Sequence, residues 1–171
     1  RLMMRFQKMP TKMVTVELTK DEIRDLVGKF GEAARRCKQA GIDGVEIHAA
    51  HGYLLSEFLS PSCNKRTDEY GGDLKKRARM VLEVIEAIRG KVGKDYPVWI
   101  RVDGSEFGVP NGITVKAARE MARLFADAGV DAINVSGYGG IRGGFYDAPL
   151  CYPRGNLVGL AKGVKKVVNV P

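Results

Sequence analysis

Ala40-Gly41-Ile42-Asp43-Gly44-Val45-Glu46-Ile47 recurs 88 positions later, from Ala40 to Ala128, as Ala128-Gly129-Val130-Asp131-Ala132-Ile133-Asn134-Val135. Each copy opens on an alanine and a glycine suited to closing a helix, then runs into the branched apolar residues of a strand. One further helix and strand lie between the copies, so the chain advances two strand–helix units per repeat. That spacing suits a (β/α)8 barrel, in which roughly 250 residues hold eight units. A doubly wound sheet shows the same alternation, so the repeat supports the barrel without proving it.

The elements follow outward from the repeat. Thr19-Lys20-Asp21-Glu22 pairs an N-cap threonine with a glutamate three residues on. It predicts a helix whose apolar stripe is Ile23, Val27, Phe30, Ala34 and Cys37, which places Cys37 in the core, and Gly41 closes it. Residues 42–48 read as a strand. A long helix over about 73–90 carries Val81, Val84, Ile85, Ile88 and Val92 on one face. Residues 97–102 are the next strand. Thr114 caps a third helix with Ala118, Met121, Phe125 and Ala128 inward, ended by Gly129. Residues 130–136 form the third strand, 157–168 a weaker helix, and Val170-Pro171 the start of a fourth strand. The expectation is an α/β fold: residues 1–171 as a single segment of a TIM barrel.

Strand parity separates two faces. Val45 and Ile47, Val98 and Ile100, and Ile133 and Val135 share the parity expected to meet the helices. Glu46 and His48, Trp99 and Arg101, and Asn134 and Ser136 share the other. In a barrel these six point inward, with His48, Arg101 and Ser136 nearest the C-terminal mouth, where barrel enzymes hold their chemistry. Inward Glu, Arg and Asn side chains are costly unless paired.

Composition narrows the classes. With 171 residues, 44% hydrophobic and 28% charged, the chain has the make-up of a globular domain rather than a disordered one. The formal net charge is +8, but basic residues mix with acids along helices, as in Lys29, Glu32, Arg35 and Arg36. That pattern argues for solvated faces and against nucleic acid as partner. No apolar run approaches the ~20 residues of a membrane span, and the first residues show no leader pattern. A cytoplasmic location is expected. The absence of an initiator Met suggests a chain cut from something longer. Cys37, Cys63 and Cys151 are far apart with no Cys-x-x-Cys, which fits reduced thiols and offers no zinc or iron–sulfur motif.

The strand ends bear the candidate chemistry. His48 and His51 lie three residues apart where a strand ends. Two imidazoles there can donate to one carbonyl or nitro oxygen and polarise a conjugated C=C. A metal pair and core histidines are equally open readings. Tyr53 offers a phenol that can protonate a developing carbanion, or simply packs. Arg101 needs an anion: an ion pair with Glu46 or Asp103, or the negative edge of a reduced flavin.

The run His48-Ala49-Ala50-His51-Gly52-Tyr53-Leu54-Leu55-Ser56-Glu57-Phe58-Leu59-Ser60-Pro61, followed by Asn64-Lys65-Arg66-Thr67-Asp68-Glu69-Tyr70-Gly71-Gly72, resembles the signature of the old yellow enzyme family. That family includes 2,4-dienoyl-CoA reductases, enoate reductases and other NAD(P)H:flavin oxidoreductases, and the match extends from Leu18 to Val170. The resemblance implies FMN as cofactor, NADH or NADPH as reductant, and a small-molecule substrate with an activated alkene. It implies that His48 and His51 bind the activating oxygen, that Tyr53 donates a proton or orients, and that Arg101 contacts the FMN pyrimidine edge. Asn64, Arg66, Asp68, Tyr70 and Arg77 match positions that brace the long loop and the helix after strand four. Ser136-Gly137-Tyr138-Gly139-Gly140 stands where the dienoyl-CoA branch tends to place a catalytic histidine, so Tyr138 becomes a candidate substrate contact and the glycines a candidate mobile loop. Asp73-Leu74-Lys75-Lys76-Arg77 departs from the usual Ser-x-Glu-Asn-Arg.

Aligned to that family, the chain covers approximately strands 4–6, with strands 1–3 and 7–8 and the phosphate site outside it. In larger members, 4Fe-4S and FAD parts lie further on. By itself the segment is expected to be inactive and to bind FMN weakly or not at all, with self-association covering its open sheet edges. A non-catalytic binding or assembly module is the competing expectation.

Overall fold

The computed structural model describes residues 16–139 and 153–171. Elements alternate as α1 (Lys20–Gln39), β1 (Val45–Ala49), α2 (Leu54–Leu59), α3 (Leu74–Val92), β2 (Val98–Phe107), α4 (Val115–Asp127), β3 (Ala132–Gly139) and α5 (Val158–Lys165). The three strands form one sheet in the order β1-β2-β3, parallel throughout. Parallel neighbours require crossovers, which α3 and α4 supply.

The helices start where the sequence predicts. Thr19 and Glu22 close a complete capping box on α1. Asp73 caps α3 by accepting from Lys76 N, and Thr114 caps α4 by accepting from Ala117 N. Gly41, at φ 78°, and Gly129, at φ 96°, follow their helices in the left-handed conformation. α3 runs two residues beyond the predicted end, because Gly93 rather than Gly90 adopts positive φ.

The predicted face division holds. Ile47, Ala49, Val98, Ile100 and Val102 are buried against the helices, together with Val81, Val84, Ile85, Ile88, Met121 and Phe125. Glu46, His48 and Asn134 are exposed on the opposite face, and Trp99 and Arg101 are half-buried there. The repeat is visible as a bond: Asn134 Nδ2 donates to Glu46 Oε2 at 3.0 Å, joining equivalent positions of the two copies. Beyond β3, Ile133 N donates to Pro171 O at 3.0 Å, so the last residues lie alongside β3 as a following strand would.

Several expectations need correction. β2 and β3 reach further than predicted, and Tyr138 and Gly139 pair with Glu106 and Phe107 as strand, not as a mobile loop. Glycine is a poor strand former in isolation, but here the ladder to β2 decides. β3 also begins at Ala132, because Asp131 turns its carboxylate to Val98 N at 2.7 Å. The stretch after Tyr53 includes the helix α2, whose Leu55, Phe58 and Leu59 are buried. Cys37 is only half-buried. Gly140 and Cys151 fall outside the described residues.

Candidate active site

The register assembles a polar row across the sheet. His48 is paired with Arg101, and Arg101 with Asn134. Next to this row, Glu46 accepts from Trp99 Nε1 at 2.7 Å and from Asn134 Nδ2 at 3.0 Å. Glu46 is thus engaged by neutral donors. Arg101 Nε is buried and finds no hydrogen-bond partner among the described residues. A buried guanidinium N–H in that state calls for an acceptor from outside the described residues.

Past β1 the chain turns sharply. His51 at φ 65° and Gly52 at φ 70° are consecutive left-handed residues, and for histidine that conformation is uncommon. The turn swings the His51 ring back toward β1, to 5.1 Å from the His48 ring and inclined at 76°. Tyr53, largely exposed, lies with its ring 5.3 Å from that of His48. The three side chains grouped by sequence are therefore one cluster, and His48 is the register partner of Arg101.

Residues to which the sequence assigned no such role hold this turn. Asp103, fully buried on β2, accepts from His51 N at 2.8 Å and from Ser56 Oγ at 3.1 Å. Ser56 Oγ in turn accepts from Gly52 N at 3.3 Å. A carboxylate bonded to a backbone N–H is worth more than a neutral acceptor, so Asp103 offsets part of the strain at His51. Asp103 shares the inward parity of Trp99 and Arg101, which was the available signal. Ser136, its register partner on β3, lies with Oγ 2.7 Å from His51 Nε2. Tyr138 closes the floor: a Cβ on Gly52 would stand 2.9 Å from its hydroxyl. Burial, followed by the nearby Cys63, Glu106 and Asp103, pushes the Tyr138 phenol above its ordinary pKa. Tyr138 thus stays protonated at neutral pH.

The loop residues behave as braces. Asn64 Nδ2 donates to Phe58 O and Tyr70 O, both at 2.7 Å. Arg66 pairs with Asp68 at 2.6 Å and reaches Leu18 O at 2.7 Å, while Arg77 Nε donates to Leu59 O at 2.9 Å. These bonds fix α2 and with it the His51–Tyr53 turn. Among the described residues, no group of three His, Cys, Asp or Glu gathers in metal-binding geometry, and no helix is long and apolar enough to cross a membrane. A groove of about 740 Å³ between residues 16–18, α2 and residues 63–66 contains neither histidine nor Arg101, so it is separate from the cluster.

A family model described as NADH:flavin oxidoreductase / NADH oxidase family matches residues 4–140. Among curated relatives, a metal reductase of Desulforamulus reducens is 44% identical over 91% of this chain and 23% of its own length. An NADH oxidase of Thermoanaerobacter brockii is 41% identical over 91% and 24%, and an NADPH dehydrogenase of Clostridium acetobutylicum 39% identical over 91% and 44%. Among solved structures, a 2-naphthoyl-CoA reductase complexed with 2-naphthoyl-CoA superposes with TM-score 0.81 and 33% identity, covering 91% of this chain and 24% of that one. An old yellow enzyme homologue from Zymomonas mobilis gives 0.70 and 29%, covering 90% and 41%. The chain thus spans between about a quarter and somewhat under half of these relatives, and its sheet is a partial TIM barrel of their type.

Proposed function

Since the chain belongs to the NADH:flavin oxidoreductase / NADH oxidase family, we propose that it forms the substrate-activating centre of an ene-reductase. The reaction passes hydride from NADH or NADPH through FMN to the activated C=C of an enone, enoate or enoyl-CoA. The observation that carries this reading is the cluster of His48, His51 and Tyr53 beside the Nε of Arg101, which has no partner among the described residues.

Arg101 fits the flavin on its own terms. Its buried Nε–H, without an acceptor among the described residues, suits the pyrimidine edge, which becomes negative on reduction. Bound there, FMN supplies the hydride. His48 and His51 meet at a spacing that lets both donate to one carbonyl oxygen, drawing charge away from the C=C and favouring attack at its far carbon. Tyr53, exposed beside His48, is placed to deliver a proton to the adjacent carbon as charge builds there. Asp103 and Ser56 hold the turn, so that the pair need not reorganise during the reaction. The thioester of the substrate named for the 2-naphthoyl-CoA reductase presents the kind of oxygen this pair would polarise, which supports the CoA-ester branch of the proposal.

The test uses the full-length protein that contains this chain. It should purify with flavin absorbance, bleach with NADH or NADPH, and recover colour on adding cyclohex-2-enone or crotonyl-CoA. His48→Ala and His51→Ala should each lower kcat/KM on the alkene by about a hundredfold. Their flavin reduction by NAD(P)H should change little. Flavin-free protein without turnover would instead support the non-catalytic module.

A further inference from the structure

His51 presents a question that its position alone does not answer: which ring nitrogen bears the proton. Neutral imidazole donates from one nitrogen and accepts at the other, so a hydrogen bond at one fixes the role of the other. His51 Nε2 lies 2.7 Å from Ser136 Oγ, a short contact for a neutral pair. Ser136 is buried, with 3% of its surface exposed, and His51 Nε2 is the hydrogen-bond partner of its hydroxyl among the described residues. Were Nε2 protonated, the Ser136 O–H would point into the protein interior with no described acceptor, a state that folded proteins avoid. With the serine as donor, both groups are satisfied.

We propose that Ser136 is a positioning residue that donates to His51 Nε2 and so holds His51 as the Nδ1–H tautomer. A neutral His51 then donates to a ligand oxygen from Nδ1 and not from Nε2. The backbone supports the same arrangement. Asp103 anchors the His51 amide from β2 while Ser136, its register partner, reaches the ring from β3, so two adjacent strands fix the residue at both ends. The tautomer assignment stands on the Ser136–His51 pair, whereas its consequence for the activating oxygen rests on the ene-reductase reading above.

The test is nitrogen NMR on ring-15N-labelled full-length protein at about pH 8.5, where an ordinary imidazole is neutral, with the His51 signals assigned through His51→Gln. The expected spectrum has Nδ1 protonated and Nε2 as acceptor. Ser136→Ala should move the population toward Nε2–H, and Ser136→Thr, which keeps the hydroxyl, should restore the wild-type pattern. An Nε2–H wild type, or a tautomer unmoved in Ser136→Ala, overturns the proposal. The wild-type spectrum decides the first point even if a variant folds poorly. Ser136→Ala should also bind cyclohex-2-enone about tenfold more weakly at unchanged flavin content, the loss of one hydrogen bond. Unchanged affinity overturns the role in binding. The tautomer readout needs no flavin and no turnover, so an enzyme inert toward alkenes would count against the ene-reductase reading alone.

Discussion

Replacing Gly52 with alanine tests whether the His51–Tyr53 turn is built as described. Two costs add at this position. At φ 70° an L-residue pays on the order of 1–2 kcal/mol for the left-handed backbone. The new Cβ would also stand 2.9 Å from the Tyr138 hydroxyl and 3.0 and 3.1 Å from two ring carbons, so the ring edge must move bodily. Overpacking of that kind costs roughly 1–3 kcal/mol. Gly72→Ala is the control: its φ is 92°, yet nothing lies within 4 Å of the added carbon. It pays the backbone cost alone. Equilibrium urea unfolding should therefore show Gly52→Ala about 2–5 kcal/mol less stable than wild type and Gly72→Ala about 1–2 kcal/mol less, with unchanged slopes. Gly52→Ala should also lose affinity for cyclohex-2-enone, because its histidine turn is displaced, while Gly72→Ala keeps it. Equal destabilisation in the two variants would refute the packing of Tyr138 beneath the turn.

Asp103→Asn keeps an oxygen but loses the charge that the His51 amide and Ser56 address. It should cost about 1–3 kcal/mol in urea unfolding and raise KM for the alkene more than it changes flavin content. Arg101→Ala removes the cation assigned to the flavin edge, so the midpoint potential should fall by about 30 mV for each 1.4 kcal/mol lost, read by dye-equilibrated titration; an unchanged potential would remove Arg101 from the flavin site. The Asp68 carboxyl is held below its ordinary pKa chiefly by the Arg66 hydrogen bond and further by the Tyr70 amide, with burial opposing. Between that lowered value and about 3.9 the unfolded chain binds more protons, so this stability is complete above the unfolded pKa and lost as pH falls through the folded one. Acid unfolding of Asp68→Asn should accordingly be less steep in that window than wild type, and superimposable profiles would contradict the pairing.

Much of the architecture is legible without coordinates because it depends on local rules. Thr19, Asp73 and Thr114 cap their helices through short-range bonds, and Gly41 and Gly129 end theirs by backbone freedom alone. What escaped depends on partners distant in sequence. Gly137-Tyr138-Gly139 has the composition of a loop, and only its ladder to Glu106 and Phe107 makes it strand. α2 is too short to show a periodic stripe, and its Leu55, Phe58 and Leu59 become recognisable as core only against β1 and α3. Cys37 carries the right spacing yet is only half-buried, since spacing along α1 does not set how far its neighbours cover it.

The candidate site divides in the same way. The sequence by itself determined that His48 and Arg101 share a strand face, since alternation in a strand is fixed by backbone geometry. It also identified His51 and Tyr53 as members of the same cluster through the family signature. Only the tertiary structure decided how His51 is held, because Asp103 and Ser136 lie 52 and 85 residues away from it and meet it through parallel register. A pattern of residue types specifies which face a side chain takes, whereas the bonds that orient it depend on which strands become neighbours.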